Sequence, residues 1–404
     1  MRLLPAGVAP EARLLLVGRA LRAFTDGFVA ILLPAYLLAL GLGQWEVGLL
    51  SSATLLGSAL MTLAVGQWGH RFEARRLLLA AAGLMAATGV LLAGFSSFWP
   101  LLLVAFVGTM NPSAGDVSVF LPLEHARLAE TAQGDARTVV FSRYTFVGAL
   151  CAAFGALATA IPGLLAQQGL ALLDALRAMF VLYGATGVAV FFLYRRLPAR
   201  VARGQAAPPA PRSALGPSRG IVVRLAALFS LDAFAGGLLV NTLLALWLFQ
   251  RFGLSLAAAG SFFFWAGLFT AASQLAAPWV ARRIGLLNTM VFTHIPASIS
   301  LICAAFAPSL EWALALLLLR SLLSQMDVPA RAAFVMAVVT PAERAAAASF
   351  TAVPRSLAAA ASPAIGGALL AAGWLAAPLV ACGALKIVYD LAIWRAFRKA
   401  RPDQ

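Results

Sequence analysis

Long hydrophobic stretches, separated by short segments that often contain arginine, dominate the 404-residue chain. A helix that spans the hydrocarbon core of a bilayer needs about 20 mostly apolar residues. Stretches of this length predict twelve transmembrane helices, over residues 14–40, 46–68, 75–96, 99–123, 138–162, 172–195, 221–249, 256–281, 286–306, 310–338, 346–372 and 375–397. The pattern therefore predicts an all-α integral membrane protein.

Arginine is concentrated in every second loop of this prediction. Arg71 and Arg75 follow the second helix, Arg282 and Arg283 follow the eighth, and six arginines lie within residues 195–219, after the sixth. Cytoplasmic loops carry the excess of Lys and Arg in membrane proteins. We therefore expect both termini in the cytoplasm, in a multi-pass protein of a bacterial inner membrane.

The composition agrees with a membrane protein. Hydrophobic residues make up 62% and charged residues 11% of the chain, whereas soluble globular proteins have roughly 45–50% apolar and about 25% charged residues. The formal net charge of +15 comes mostly from loop arginines, as is typical of a membrane topology signal. We therefore expect lipid as a partner, and no nucleic acid.

The chain carries no recognisable cofactor or catalytic motif. Cys151, Cys303 and Cys382 lie inside apolar stretches and form no CxxC motif, so we expect neither a disulfide nor a metal site. The sequence has no P-loop or HExxH motif. An ATP-driven pump and an enzyme are therefore not predicted.

A linker in the middle of the chain separates two similar halves. Residues 196–220 are rich in Pro, Ala and Arg and have no apolar period, as expected of a flexible linker. Residues 1–195 and 221–404 each contain six predicted helices. Asp26 in FTDGF matches Asp232 in SLDAF, in the first helix of each half.

Further matches follow in the same order along the two halves. They include Met110-Asn111 with Met326-Asp327, and Arg143 with Arg355. Several matches in one order indicate duplication, and a parallel repeat of six helices on each side of a basic linker is a known transporter plan. The sequence thus predicts two pseudo-symmetric six-helix bundles.

The turn after the second helix resembles the signature of the major facilitator superfamily, which is approximately GxxxDRxGRR. Gly66, Arg71 and Arg75 fit this signature, while His70 occupies the acidic position and Glu73 the second glycine position. The turn at residues 340–344, TPAER, resembles the PxER turn of the same family.

This resemblance covers nearly all of the chain. It implies alternating access between two bundles, with helices 1, 4, 7 and 10 lining a central cavity. It also implies a gating role for Arg71 and Arg75.

The tenth predicted helix carries a polar stripe. Arg320, Ser324, Asp327 and Arg331 are spaced by four, three and four residues, so they share one helix face. A polar stripe facing lipid is very costly. The stripe must therefore face the protein interior, either as a substrate or coupling site or as a buried packing network.

The fourth predicted helix contains the segment NPSAGD, with Asn111 and Asp116 at its ends. Pro and Gly weaken a regular helix, and broken backbone at membrane depth is tolerated only where protein or water satisfies it. Asn111 and Asp116 are therefore candidate substrate-binding residues, although the segment is also explained by a kink needed for packing.

The repeat-related acids Asp26 and Asp232 are candidates for proton coupling. A partly buried carboxylate can take up a proton. The alternative is an ion pair with Arg22 or Arg224, which lie on the same helices.

Arg143 and Arg355 are candidate gating residues, because both lie near the cytoplasmic start of their predicted helices. In the resembled fold, the helices on which they lie approach helices 10 and 4 when the cytoplasmic side closes. We expect the pairs Arg143–Asp327 and Arg355–Asp116 in an outward-facing state. In the competing arrangement, Asp327 pairs with Arg331 on its own helix.

Two further polar features have structural explanations. Lys386 and Asp390 lie four residues apart on the last predicted helix, so they are expected to neutralise each other. His294 lies outside any metal-ligand spacing and is expected to be a packing residue.

Together these features predict a secondary active transporter of a small solute, working as a monomer. Intramembrane acids favour proton coupling, and the resemblance favours efflux, by antiport. The large apolar and aromatic content suits an amphiphilic compound, whereas the intramembrane arginines suit an anionic one. The alternatives are import by a transporter of the same fold, a lipid scramblase and a membrane-embedded enzyme.

Overall fold

A computed structural model describes residues 8–113, 118–132, 134–199, 216–340 and 343–398, and its regular secondary structure is helical. The helices of the first half are α1 (Glu11–Ala39), α2 (Gln44–Trp68), α3 (Ala74–Gly94), α4 (Phe98–Val107), α5 (Phe120–Ala129), α6 (Gly134–Leu157), α7 (Ile161–Gln167) and α8 (Leu172–Tyr194). Those of the second half are α9 (Arg219–Gly237), α10 (Asn241–Phe252), α11 (Leu256–Ile284), α12 (Leu286–Ala305), α13 (Leu310–Leu323), α14 (Asp327–Val338), α15 (Arg344–Ala371) and α16 (Ala377–Phe397).

In these described ranges, ten helical stretches are long and apolar enough to cross a membrane. An all-α, multi-pass membrane protein is thereby confirmed. The other two predicted spans, 99–123 and 346–372, correspond to the α4–α5 pair and to α15. Helix α15 has 28 residues and contains Pro354, Pro363 and Arg355, which make it less apolar than the ten stretches.

Three predicted spans are broken in the middle, so the chain has more helical segments than the twelve expected. Span 99–123 divides into α4 and α5, where Pro112 lies in the non-helical stretch. Span 221–249 divides into α9 and α10 just after Gly236 and Gly237. Span 310–338 divides into α13 and α14 at Ser324–Met326. Gly and Pro account for the first two breaks, because they weaken a regular helix.

Each half packs mainly on itself. In the first half, α1 packs against α6 and α8, and α3 packs against α8. In the second half, α9 packs against α15 and α16, and α12 packs against α13 and α16. The halves meet where α2 packs against α15 and α6 against α11.

The polar contacts between the halves lie away from the arginine-rich end, which is the end where α1 and α9 begin. Thr242 Oγ1 donates a hydrogen bond to the carbonyl of Ala30, at 2.8 Å. Thr159 Oγ1 donates to the carbonyl of Leu256, at 2.9 Å. By contrast, α5 and α14, which lead toward the arginine-rich end, have their main packing partners in their own halves. The halves are therefore joined at the opposite end.

Each half also ties its first helix to the loop that follows its fourth predicted span. In the second half, the Glu343 carboxylate accepts hydrogen bonds from the backbone N–H groups of Gly216 and Ser218 and from the Thr340 hydroxyl. The hydrogen bonds with Ser218 and Thr340 lower the pKa of Glu343.

The same link in the first half uses different groups. The N–H of Ala9 donates to the carbonyl of Thr131 at 3.0 Å. Arg127 Nη2 lies 3.3 Å from Glu11 Oε2. Each half therefore ties its own helix ends together at the arginine-rich end.

Helices α3 and α8 cross at glycines, and this crossing provides a test of the packing. A Cβ atom added at Gly89 would lie 2.3 Å from the backbone nitrogen of Gly184 and 2.5 Å from the carbonyl of Phe180. We expect Gly89→Val to destabilise the protein by about 1–3 kcal/mol, the usual cost of overpacking. The matched control is Gly83→Val on the same helix, where an added Cβ has no neighbour within 4 Å. Thermal unfolding in detergent, followed by tryptophan fluorescence, measures both variants. Equal melting temperatures would contradict the described crossing.

Candidate functional site in a buried ionic network

Asp232 lies between two cations in the interior of the second half. Its Oδ2 atom is 2.8 Å from Arg331 Nη1, and its Oδ1 atom is 2.7 Å from Lys386 Nζ. Helices α9, α14 and α16 supply these three residues. Because both oxygens of Asp232 accept from a cation, this carboxylate joins three helices of the bundle.

The network continues on both sides of Asp232. Arg331 Nη2 lies 3.3 Å from Asp327 Oδ2, one helical turn earlier on α14. On the other side, Lys386 Nζ lies 3.3 Å from His294 Nε2. His294 Nδ1 in turn lies 3.0 Å from Asp390 Oδ1.

These six side chains form one continuous chain of contacts. Asp232, Asp327, Arg331, His294 and Asp390 are all buried, at 7% exposure or less. Removing an ion from water costs several kcal/mol unless charges and hydrogen bonds compensate for it. The network supplies that compensation within the protein.

Two expectations about this region are wrong. Lys386 and Asp390 do not neutralise each other, because each turns to a closer partner on another helix. His294 is more than a packing residue, because both of its ring nitrogens contact charged groups. Sequence spacing identified the shared face of α16 but could not show that α12 places an imidazole between the two charges.

A small polar cavity adjoins the network. Its volume is about 30 Å³, enough for about one water molecule. Its polar lining consists of His294, Ser298, Arg320, Ser324, Gln325 and Lys386. The break between α13 and α14 places Ser324 and Gln325 on this wall. A small polar group could therefore reach the network from this cavity.

The first half contains a second buried ion pair. Arg22 Nη2 on α1 lies 2.5 Å from Glu124 Oε2 on α5. The hydroxyls of Tyr144 and Tyr194 also donate hydrogen bonds to Glu124. The guanidinium of Arg22 stacks 4.1 Å from the ring centroid of Phe120. This cluster compensates the buried charges of the first half.

Glu124 was missed by sequence reasoning, because it falls one residue beyond the predicted span 99–123. The available signal was its position directly after an apolar stretch.

The structure brings together three of the predicted substrate or coupling residues, Asp232, Asp327 and Arg331. Arg320 and Ser324 line the adjoining cavity. The predicted stripe on the tenth span therefore faces the protein interior.

The other predicted substrate residues lie in the first half. Asn111 is buried in the break between α4 and α5, where its Oδ1 accepts hydrogen bonds from the N–H and the hydroxyl of Ser113. Asp26 is half-buried on α1. Asp116 lies outside the described residues.

The predicted gating residues lie on four different helical elements. Arg143 is half-buried on α6, and Arg355 is exposed on α15. Arg71 lies in a short 3₁₀ helix after α2. Arg75 Nη2 donates a hydrogen bond to the carbonyl of Arg195 at 2.7 Å, within the first half. The gating pairs are expected in a state in which the arginine-rich end is closed, and they stay a prediction.

Comparison with known proteins gives a family match over most of the chain. The family model described as the Major Facilitator Superfamily matches residues 15–323. The uncharacterized membrane protein YJR124C of Saccharomyces cerevisiae is 22% identical over 370 residues, which cover 82% of this chain and 81% of that protein.

Solved structures show the same fold at low sequence identity. The nucleoside transporter NupG has a TM-score of 0.73 at 16% identity, covering 97% of this chain and 100% of that chain. A bacterial homologue of the iron transporter ferroportin, in an inward-facing state, has a TM-score of 0.75 at 16% identity, covering 95% and 98%. A D-xylose-proton symporter has a TM-score of 0.73 at 17% identity, covering 95% and 97%.

The network predicts a large stability difference between two Asp→Asn changes. Asp232→Asn leaves Arg331 and Lys386 buried without their shared carboxylate, so we expect a loss of about 3–5 kcal/mol in the free energy of unfolding. The control Asp174→Asn breaks an exposed pair with Arg177, for which we expect a loss of about 0–1 kcal/mol. Thermal unfolding in detergent measures both variants. Equal losses would show that Asp232 is not the shared counter-ion.

Proposed function

The chain belongs to the major facilitator superfamily, and we propose that it is a secondary active transporter that moves a small solute by alternating access. The observation that carries this proposal is the asymmetric contact between the halves. Polar contacts such as Ala364 N–H to Ser52 Oγ, at 2.9 Å, join the halves on the side away from the arginine-rich end. A transporter open at one end and closed at the other has this arrangement.

We propose that residues 1–195 and 221–404 act as two six-helix bundles, joined by the linker 196–220. In this assignment, α4 with α5 forms the fourth span and α15 forms the eleventh. Because Lys and Arg concentrate in cytoplasmic loops, we assign the arginine-rich end and both termini to the cytoplasm. The described state is then open to the inside. We further propose a monomer in a bacterial inner membrane.

The charges near the network support an anionic or amphiphilic solute. Arg320 lines the polar cavity, and Arg355 is exposed on α15 within electrostatic range of Asp232 and Asp327. We propose efflux of such a compound, coupled to protons. Proton-coupled import is the alternative, since the D-xylose-proton symporter has this fold.

The proposed roles of the candidate residues follow from where they lie. Asp232, Asp327 and Arg331 form the coupling network, and Arg320 and Ser324, which line the small cavity beside it, contribute to substrate binding. Asn111 and Asp26 belong to the corresponding site of the first half, and Asp116, which lies outside the described residues, keeps its predicted role in substrate binding. Arg143, Arg355, Arg71 and Arg75 act in gating at the arginine-rich end.

A flux experiment tests the proposed function directly. The purified protein is reconstituted into vesicles with a pH gradient and supplied with carboxyfluorescein, an amphiphilic anion, or tetraphenylphosphonium, an amphiphilic cation. We expect gradient-dependent movement of the anion and little movement of the cation, because Arg320, Arg355 and Arg143 are positive. Preferential movement of the cation would contradict the anionic assignment.

A fluorescent lipid in the same vesicles tests the alternative class. Movement of that lipid between leaflets, without movement of either soluble probe, would indicate a scramblase and would contradict secondary transport.

The proposed gate gives a second prediction. In the state closed at the arginine-rich end, we expect Arg143 on α6 to pair with Asp327 on α14. Arg143→Asp and Asp327→Arg should each remove most of the flux, and the double variant should recover it by restoring the opposite charges. The matched control combines Asp327→Arg with Arg137→Asp, because Arg137 is an exposed residue earlier on α6. Equal recovery in both double variants would contradict a specific Arg143–Asp327 gate.

A further inference from the structure

One carboxylate oxygen of the network stands out. Asp390 is fully buried, at 0% exposure, and its Oδ1 atom contacts His294 Nδ1 at 3.0 Å. Its Oδ2 atom has no hydrogen-bond partner among the described residues. In contrast, both oxygens of Asp232 accept from cations. An unsatisfied carboxylate oxygen away from water is costly, so Oδ2 is the oxygen in the network with an open position for a proton.

The contacts of His294 define where its ring proton lies. The ammonium group of Lys386 has only N–H donors to offer, and it lies 3.3 Å from Nε2 of His294. Nε2 must therefore be the accepting nitrogen. The ring proton then sits on Nδ1 and is donated to Oδ1 of Asp390, and while Oδ2 carries no proton this carboxyl group is ionised. A neutral imidazole bridges an ammonium and a carboxylate in this state.

This assignment leaves the network with an excess of negative charge. Asp232, Asp327 and Asp390 supply three carboxylates, Arg331 and Lys386 supply two cations, and His294 is neutral. These six side chains therefore carry a formal charge of −1, which does not count Arg320 on the cavity wall or Arg355 within electrostatic range of Asp232 and Asp327. Binding of a single proton makes the buried network neutral.

Further titratable or charged side chains lie on the helices that carry His294 and Asp390 and on the helices packed against them. Tyr389 lies beside His294, with ring centroids 6.2 Å apart. Helix α13 adds Arg320 on the wall of the polar cavity, and α15 carries the exposed Arg355. On α11, Arg282 and Arg283 lie in its exposed last turn. Apart from Arg320, these cations do not line the cavity, and Asp390 remains the acid with the open oxygen.

We propose that the His294–Asp390 pair, on α12 and α16, is the proton-binding site of the transport cycle. This inference rests on the proposed function. The proton adds to Oδ2 of Asp390 and breaks no bond, and it leaves Oδ1 to accept from Nδ1 of His294. A neutral Asp390 polarises the imidazole less, so Nε2 becomes a weaker acceptor for Lys386. Lys386 then interacts more strongly with Asp232. In this way the effect of proton binding is transmitted to helices α9 and α14.

The site is not among the residues predicted for coupling. The acids Asp26 and Asp232 lie on the first helix of each half, whereas α12 and α16 correspond to the ninth and twelfth predicted spans. Proton binding would therefore occur beside the solute path and act on it through Lys386. The polar cavity beside His294, whose lining does not include Asp390, has room for a water molecule at the edge of the pair.

A proton-uptake measurement tests the site without requiring any transport. The purified protein in detergent is titrated between about pH 5 and 8, because burial without a partner for Oδ2 favours the protonated form of a carboxyl group, with an indicator dye reporting uptake. Wild type should bind about one proton per chain more than Asp390→Asn. The control Asp174→Asn, at the exposed Arg177 pair, should match wild type.

Two further variants keep the test decisive. Asp390→Glu restores a titrating carboxyl group and should restore the uptake, even where Asp390→Asn folds poorly. His294→Gln keeps a hydrogen-bonding amide without a titrating ring and should shift the pH of uptake. Wild-type uptake in a folded Asp390→Asn variant, at an unchanged pH, would overturn the proposal.

Transport by the same variants then separates the two proposals. In vesicles, Asp390→Asn should still exchange carboxyfluorescein without a gradient, at a rate that no longer depends on pH. Gradient-driven accumulation should fall to background. If wild type moves no probe, the proposed function fails, while proton uptake still decides the site. If wild type is driven by the gradient and Asp390→Asn is driven equally, the proton site is wrong and the transporter assignment stands.

Discussion

Charges buried at membrane depth need partners inside the protein, and the packing of the second half depends on meeting this requirement. Placing a single charged residue at the centre of a spanning helix costs about 2.5–3.5 kcal/mol on insertion scales. The second half carries such residues on α9, α14 and α16, and it packs these helices so that Asp232 and its neighbours compensate one another. Because the charges lie on different helices, none can move far without a second helix following it. The network thus holds these helices together rigidly and makes their packing sensitive to a change in charge.

The two halves pair their buried charges with the positions of the acid and the cation exchanged. In the first half, the cation Arg22 lies on the first helix and the acid Glu124 follows the break in the fourth span. In the second half, the acid Asp232 lies on the first helix and the cation Arg331 follows the break in the fourth span. A pairing between the first and fourth spans is therefore present in both halves, while the charged residues that form it differ. Tyrosine hydroxyls donate further hydrogen bonds to Glu124 in the first pair, whereas the second pair extends through Lys386 to an imidazole and a cavity.

Most of the fold could be predicted from the sequence, because spanning length and arginine placement depend on the bilayer rather than on tertiary contacts. The polar stripe with Asp327 and Arg331 was predictable for the same reason, since lipid excludes it. Partners on other helices were not predictable. Lys386 and Asp390 share a helix face, yet only the packing of α12 shows that His294 separates them. Glu124 escaped notice because the end of a span is poorly marked when the helix breaks at Pro112 and resumes at Phe120.

The loops that hold the starts of α1 and α9 have a consequence for how the protein is synthesised. Glu343 holds the start of α9, and Thr131 with Arg127 holds the start of α1, so each half secures its own first helix without help from the other. The first six spans emerge from the ribosome before α9 exists, and they already contain every group needed to neutralise Arg22. Biogenesis can therefore proceed as two successive insertion events. The same autonomy would let the two halves be synthesised as separate polypeptides and meet afterwards in the bilayer.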